Sequence, residues 1–237
     1  MVTISALKDF IRDLKMNSED LMWAKVWDDT KRGIAWMDDL PSISPGRWAV
    51  GYNYLYVMTR VLNEKRPCNV LECGLGVSST LFCQYFKGIN IIDGCHDIIE
   101  QDSEWKRFYL NSNTISSITN IHLIECVEKV YKGKRINAYK DIKGVVEGKK
   151  YDVISIDGPW GSEFYSRIDV VEYLPDILND SFIIIIDDTQ RSGEKALIKE
   201  IEHVLSMNGV DYEEGNYRGV SQCTVIVSAD NKFLCSL

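Results

Sequence analysis

The sequence has little of what membrane, fibrous or low-complexity proteins require. Its 237 residues include only five prolines and sixteen glycines, which excludes collagen-like and low-complexity classes. Its longest aliphatic run, Ile183 to Ile186 extended by Phe182, is far shorter than the roughly 20 residues that a membrane helix needs. Near the N-terminus, Lys8, Asp9, Arg12 and Asp13 interrupt the apolar pattern, unlike in a signal peptide. We therefore expect a cytoplasmic protein that is not associated with a membrane.

Metal-binding and disulfide signatures built on cysteine or histidine are also missing. The seven cysteines are odd in number, scattered and without a CxxC pair, so the sequence predicts neither a disulfide framework nor a structural zinc site. Unpaired thiols of this kind fit a reducing compartment. The three histidines, His96, His122 and His203, have no spacing typical of a ligand set, and we interpret them as structural.

Positive charge is scarce, and this narrows the choice of partners. The net charge of −8 opposes binding to a phosphate backbone, and the two basic clusters, 132–135 and 149–150, are interpreted as solvated loop charge. A chain that is 45% hydrophobic and 26% charged is typical of one compact globular domain. We expect no binding to nucleic acid, and self-association into a homo-oligomer stays open.

Residues 1–66 show a helical pattern on both sides of a segment rich in turn formers, 38–46. Leu7, Phe10, Ile11 and Leu14 share one face, and a second group of apolar residues around Trp23 and Trp27 shares another. We predict a helical N-terminal extension, residues 1–66, that packs on a core domain of residues 67–237. The spacing of its aromatic residues favours core packing, with a lid over an acceptor pocket as the alternative; these residues are Trp23, Trp27, Trp36, Trp48, Tyr52, Tyr54 and Tyr56.

From Asn69 onward, short apolar runs alternate with helical stretches. This alternation is typical of βαβ units and predicts a mostly parallel sheet with helices on both faces. The predicted strands are 69–72, 95–99, 121–125, 152–156, 182–186 and 224–228, and the predicted helices are 78–86, 103–113, 163–178 and 193–207. Pro175 is expected to kink the third of these helices or to start a second one.

The turn after the first strand carries the strongest functional signal. Strand 69–72 ends in Glu72 and runs into Cys73-Gly74-Leu75-Gly76-Val77-Ser78-Ser79, which opens a helix. Glycines allow a tight turn and close approach of a ligand, and the helix N-terminus offers unpaired N–H groups. A plain tight turn is the structural alternative. A dinucleotide fingerprint needs a third glycine or alanine where Ser79 stands, and Glu72 would repel a pyrophosphate, so a cationic ligand is favoured over NAD.

The segment Glu72-x-Gly74-x-Gly76-x-Ser78-Ser79 resembles motif I of the class I, Rossmann-like methyltransferases that use S-adenosylmethionine. Two later segments, 151–161 and 182–191, look like the fourth and fifth strands of that fold, and the resemblance covers about residues 67–228. It implies an α/β, Rossmann-like, mostly parallel seven-stranded sheet. It also implies S-adenosylmethionine as the cofactor, bound by Glu72, Gly74, Gly76, Ser78, Ser79, Glu100 and Asp157.

A narrower likeness connects the chain with uncharacterised methyltransferases of bacterial surface-polysaccharide gene clusters. The residues that carry it are Trp48-Ala-Val-Gly-Tyr-Asn-Tyr, ahead of the first strand, and Asp157-Gly158-Pro159. In the wider family an acidic residue at the end of the second strand binds the ribose hydroxyls. Glu100 is preferred for that role over Asp93, which lies in a turn, although a helix N-terminal charge is the alternative for Glu100.

Three further carboxylates end two apolar strands. Asp157 closes strand 152–156, and Asp187 and Asp188 close strand 182–186, at the sheet edge where α/β proteins bind ligands. The resemblance to metal-dependent O-methyltransferases implies that Asp157, Asp187 and Asp188 are catalytic and hold a divalent cation such as Mg²⁺. Arg167, Arg191 and Lys195 are the alternative source of positive charge, and a capping or loop-holding role is the structural one.

The sequence therefore predicts a cytoplasmic S-adenosylmethionine-dependent O-methyltransferase with a small-molecule or sugar acceptor. An NAD-dependent oxidoreductase on the same fold and a noncatalytic binding protein that retains the fold are the alternatives. Ser79 argues against the first. The three aspartates argue against the second, because a bare scaffold has no need to store their mutual repulsion.

Overall fold

The structure, a computed structural model, describes residues 4–43 and 49–236. Its strands are β1 (Asn69–Cys73), β2 (Cys95–Glu100), β3 (Thr119–Leu123), β4 (Cys126–Tyr131), β5 (Lys134–Tyr139), β6 (Tyr151–Ile156), β7 (Leu178–Ile186), β8 (Glu213–Arg218) and β9 (Gln222–Val227). Seven of them form one sheet in the order β3-β2-β1-β6-β7-β9-β8. The other two, β4 and β5, pair with each other as an antiparallel hairpin.

The sheet has the predicted Rossmann-like topology. Strands β3, β2, β1, β6 and β7 are parallel, and β9 and β8 complete the sheet in antiparallel pairing. The parallel part follows the doubly wound order, in which the first strand lies centrally and the chain winds outward on both sides. All six predicted strands are present, and β6 lies between β1 and β7 as the resemblance implied. The seventh strand of the sheet, β8, was not among the six strands placed from the sequence.

Helices cover both faces of this sheet. They are α1 (Ile4–Lys31), α2 (Tyr52–Arg60), α3 (Val77–Gly88), α4 (Ser103–Ser112), α5 (Lys143–Val146) and α6 (Ser192–Met207). Side chains alternate across a strand, so Val70 packs with α2 and α3 on one face while Leu71 packs with α6 on the other. The β4–β5 hairpin shares the second face with α6. No helix in the described part of the chain is long and apolar enough to cross a membrane.

The N-terminal helices share the hydrophobic core of the first face. Trp23 donates to the carbonyl of Arg218, and Trp27 Nε1 donates to Thr59 Oγ1 at 3.0 Å. Trp23, Trp27, Trp36, Tyr54 and Tyr56 are buried, which confirms the core-packing interpretation for them. Trp48 lies outside the described residues.

The apolar stripe formed by Leu7, Phe10, Ile11 and Leu14 is exposed, so the first half of α1 does not pack on the core domain. The stripe is on the side of the helix opposite to Trp23 and Trp27, so it faces away from the body.

The structure corrects two expectations, one about a helix and one about a basic loop. The helix predicted over 163–178 is absent. A 3₁₀ helix, Ile168–Tyr173, stands in its place, because Tyr165 and Arg167 have left-handed backbones that an α-helix excludes. The basic cluster 132–135 is not a plain loop. It forms the turn and the first residues of β5, with left-handed Lys132 and Gly133 at the tip, and Lys132 Nζ lies 2.6 Å from Glu200 Oε1 on α6.

Candidate functional site

A ladder of backbone hydrogen bonds aligns the carboxyl ends of four neighbouring strands. Gly74 N donates to Ile99 O of β2, Asp157 N donates to Cys73 O of β1, and Asp187 N donates to Ile156 O of β6, at 2.9 to 3.1 Å. Parallel strands that end in register place their following residues side by side. The glycine turn and the aspartates predicted from the sequence are therefore brought to one edge.

The two glycines of the turn have different roles. Gly74 has a left-handed φ of +100°, and a Cβ there would lie 3.1 Å from Gly158 N and 3.2 Å from the carbonyl carbon of Asp157. A side chain at this position is excluded by the neighbouring loop. At Gly76 a Cβ would meet nothing within 4 Å. Gly76 thus borders open space that a ligand of the turn can occupy.

Glu72 and Ser78 point into the protein rather than toward that space. The Glu72 carboxylate accepts from the Ser78 hydroxyl and lies 3.2 Å from His96 Nε2, and both Glu72 and His96 are completely buried. Burial disfavours a charged imidazole, but interactions with Cys83 and Glu72 raise the pKa of His96 to about 9. The charge of Glu72 is therefore balanced by His96. The role of Glu72 and Ser78 in cofactor binding stays a prediction, and it would act through the shape of the turn.

Glu100 and Ser79 also hold the turn. Glu100 Oε2 accepts from Leu75 N at 3.0 Å, its Oε1 accepts from the backbone N–H groups of the next two residues, and Ser79 Oγ accepts from Gly76 N at 2.9 Å. Glu100 lies at the carboxyl end of β2, whereas Asp93 precedes the opposite end. The structure thus places Glu100 beside the glycine turn, and its contact with ribose hydroxyls stays a prediction.

The three predicted aspartates form one cluster. Carboxylate oxygens of Asp157, Asp187 and Asp188 lie within 4.8 Å of one another. Ser221 Oγ donates to Asp187 Oδ1 at 3.3 Å from the turn between β8 and β9. Asp188 has a left-handed backbone, φ +61°, at the second residue after β7. The cluster directly adjoins Gly74 through the backbone of Asp157.

Arginine side chains occupy part of this cluster. Arg167 Nη2 lies 3.1 Å from Asp157 Oδ1 and 3.2 Å from Asp188 Oδ2, and Arg191 Nη1 lies 2.8 Å from Asp188 Oδ2. The Arg167 side chain is only 6% exposed, and the backbone of this residue is left-handed, with φ +58°. Two of the three predicted basic residues therefore reach the cluster, while Lys195 is exposed on α6.

A fourth carboxylate, Glu194, is the main site residue that sequence reasoning missed. It is fully buried in the first turn of α6, its Oε1 lies 3.8 Å from Arg167 Nε, and neither oxygen has a hydrogen-bond partner among the described residues. Its position in the first turn of a predicted helix suggested only a favourable interaction with the helix dipole. Four carboxylates therefore face two guanidinium groups, which leaves an excess of two negative charges when all four are ionised.

The electrostatic consequence is that the pKa values of two carboxyl groups in this cluster are raised. Burial, followed by the charges of Asp157 and Asp188, raises the pKa of Asp187 well above its usual value. Burial also raises the pKa of Asp157, although the Arg167 charge opposes this. Closely spaced, buried carboxylates cannot all ionise at ordinary cost, which is the physical reason for both upward shifts.

The cluster fits a divalent cation in ligand type and in charge. Carboxylate oxygens are the ligands preferred by Mg²⁺, Ca²⁺ and Mn²⁺, and the 4.8 Å separation allows three of them to converge on one ion. The unpartnered Glu194 and the two uncompensated negative charges point the same way. Arg167 opposes it, because its guanidinium already bridges Asp157 and Asp188. The donor set fits, with Arg167 as the group that a cation would have to displace or share.

Sequence comparison gives no relative: no known family matches the chain, and no curated protein matches it. Structure comparison finds similar chains at low identity. The O-methyltransferase from Bacillus cereus in complex with SAH has 13% identity and a TM-score of 0.46, with 86% of this chain and 91% of that chain covered. The SAH-bound Podospora anserina methyltransferase PaMTH1 has 12% identity and a TM-score of 0.44, with 86% of each chain covered. The plantazolicin methyltransferase BpumL in complex with SAH has 15% identity and a TM-score of 0.44, with 93% of this chain and 98% of that chain covered.

Proposed function

We propose that the chain is a cytoplasmic S-adenosylmethionine-dependent O-methyltransferase. The observation that carries the proposal is a net negative carboxylate cluster in backbone contact with a glycine turn that borders open space. A pyrophosphate beside Asp157, Asp187 and Asp188 would be repelled, whereas a ligand with a sulfonium and an ammonium group would be attracted. This favours S-adenosylmethionine over a dinucleotide.

The aspartates and the side chains that hold them have distinct roles in this proposal. S-adenosylmethionine supplies a methyl group whose bond to sulfur breaks as its bond to the acceptor oxygen forms, which leaves a neutral thioether. Where Arg167 and Arg191, rather than a cation, compensate the carboxylates, Asp157 accepts the proton that the acceptor hydroxyl loses, because its backbone adjoins Gly74 and its raised pKa suits a general base. Arg167 holds Asp157 in position, and Ser221 holds Asp187. Positioning of acceptor and methyl donor in line supplies much of the rate.

The divalent cation is part of the proposal. Asp157, Asp187 and Asp188 would hold it, and it would lower the pKa of an acceptor hydroxyl that binds beside them. If Arg167 and Arg191 alone compensate the carboxylates, turnover is metal-free. Activity measured after EDTA treatment and again after Mg²⁺ restoration separates the two forms of the proposal. Undiminished turnover in EDTA, with no metal in elemental analysis, removes the cation and leaves the methyltransferase.

The acceptor is proposed to be a small molecule or the hydroxyl of a surface-polysaccharide precursor. Beyond the likeness of 48–54 and 157–159, Trp160 supports a ring-shaped acceptor. Its side chain is 63% exposed, on a loop whose Pro159 carbonyl accepts from Arg167 Nε at 3.4 Å. An exposed indole on the loop that follows Asp157 offers an apolar face for a sugar ring, and the carboxylates of the cluster offer acceptors for its hydroxyl groups.

Thermal shift with S-adenosylhomocysteine and with NADH tests the cofactor assignment. We expect stabilisation by S-adenosylhomocysteine only. Gly76→Val should abolish the shift without unfolding the protein, because its side chain enters the open space at the turn. Gly144→Val is the matched control, since a Cβ at exposed Gly144 of α5 also meets nothing within 4 Å. Equal shifts with both ligands, or a shift with NADH alone, would end the methyltransferase proposal.

A further inference from the structure

The first half of α1 exposes a continuous apolar stripe. Leu7, Phe10, Ile11, Leu14 and Leu21 are 52 to 72% exposed, and every residue from 7 to 15 is exposed. This part of the helix therefore projects from the body into solvent. Helices of about 12 residues are marginal in water without packing, so a stripe of this kind needs a covering surface.

The stripe has the spacing of a two-stranded coiled coil. Leu7, Leu14 and Leu21 recur every seven residues, and Ile11 and Ser18 fall between them, so the leucines occupy d positions and Ile11 an a position. Leucine at d with a β-branched residue at a favours two parallel strands. The same register puts Trp23 and Trp27 at outer positions, where they pack on the body. The seam ends after Leu21, since the next a position is Lys25, which pairs with Asp29 at 2.8 Å.

We propose that two copies of the chain associate through this stripe as a short parallel coiled coil. The five exposed side chains offer on the order of 500 Å² per copy, so that a pair reaches about the 1,000 Å² that a specific but weak interface needs. The association is independent of the proposed methyltransferase activity.

Flanking charges select the parallel arrangement. In this register Lys8 and Lys15 lie at e positions, and Phe10 and Asn17 lie at g positions. A parallel pair sets e against g of the other copy, so the stem of Lys15 packs beside Phe10 and no like charges meet. An antiparallel pair sets e against e and brings lysines together. The charge pattern therefore opposes the antiparallel form.

A lipid surface suits the stripe less well. The polar side of the segment has both signs, and Arg12 lies 3.1 Å from Asp9 and 3.6 Å from Asp13, so its positive charge is neutralised within the helix. The chain as a whole has a net charge of −8, which opposes an anionic bilayer. A second copy has a matching heptad stripe.

Sedimentation velocity of the full chain over a wide concentration range tests the proposal, in reductant because seven cysteines are present. We expect a dimer with a dissociation constant in the micromolar range. Leu14→Glu at the centre of the seam should weaken it by about 100-fold or more. Arg12→Gln makes the same change of charge on the opposite side of the helix and should alter it by less than about threefold. Circular dichroism melting checks that both variants retain the fold.

Three outcomes would overturn the inference. The first is a monomer at all concentrations, and the second is a dimer that Leu14→Glu leaves intact. The third is a wild-type monomer that pellets with phosphatidylglycerol vesicles through the same leucine, since that would assign the stripe to a membrane. Orientation has its own test. Preferential pairing of wild type with a Lys8→Glu, Lys15→Glu variant would indicate antiparallel helices and refute the parallel form.

Discussion

Replacing Asp187 with asparagine should stabilise the unliganded protein at neutral pH. The pKa of Asp187 is raised in the folded state by burial and by its aspartate neighbours, whereas in the unfolded chain it is about 3.9. Between these two values the folded protein holds a proton that the unfolded chain has released. Rising pH then lowers the free energy of unfolding by about 1.4 kcal/mol per unit.

Asp187→Asn removes the titration but keeps an acceptor for the Ser221 hydroxyl. While Asp187 holds its proton in the folded state, the difference from wild type should therefore widen by about 1.4 kcal/mol per pH unit, or roughly 3 to 6 °C in melting temperature for a chain of this size. Urea unfolding at several pH values measures the slope directly. Asp180→Asn, at an exposed position of the same strand, makes the same charge change as a control. Parallel pH profiles for wild type and Asp187→Asn would refute the idea that Asp187 holds a proton.

Three more predictions concern the charges around the site. Arg167→Met should lower the free energy of unfolding by about 3 to 5 kcal/mol, because it leaves buried carboxylates unpaired. In urea unfolding, adding Glu194→Gln should restore part of that free energy, and strict additivity of the two changes would contradict the Arg167–Glu194 pairing. His96 has a pKa raised to about 9, so the stability that it contributes is complete below about pH 6.5 and is lost as pH rises through 9, a change of about 3 kcal/mol in the free energy of unfolding. If a His96→Gln variant loses the same stability at alkaline pH, the His96–Glu72 pair is not the source of that loss. Mn²⁺ binding should release a proton from Asp187, and the affinity for Mn²⁺ should increase as pH rises. Calorimetry in buffers of different ionisation enthalpy measures the proton release, and an affinity that does not depend on pH would place the ion elsewhere.

Strand ends were predictable from the sequence, and most of the side-chain contacts were not. Apolar runs that stop at Glu72, Asp157 and Asp187 mark buried parallel strands, and topology then brings their ends together. Whether Arg167, Arg191 or Lys195 reaches the carboxylates depends on a loop whose left-handed residues have no sequence signature. Hydrophobic periodicity therefore could not show which of these three basic residues contacts the carboxylates.

Other differences have separate causes. The β4–β5 hairpin is largely solvent-facing, so it lacks the continuous apolar run of a buried strand, and only Lys132-Gly133 between two alternating segments marks its turn. In α1, two apolar faces give the same helical pattern whether or not each is covered. Propensity predicts the helix, but it does not show which face has a partner.

The contact between Gly74 and Gly158 bears on how distant relatives of this chain could be recognised. A Cβ at Gly158 would lie 2.8 Å from Gly74 N, and one at Gly74 would lie 3.1 Å from Gly158 N, so there is no room for a side chain at either position. Glycine is already the smallest residue, and no compensating exchange exists between the two. Saturation mutagenesis should therefore tolerate almost nothing at either position, in contrast to Gly144. A search pattern built on this pair and the intervening Asp157 would retain information after overall identity has been lost.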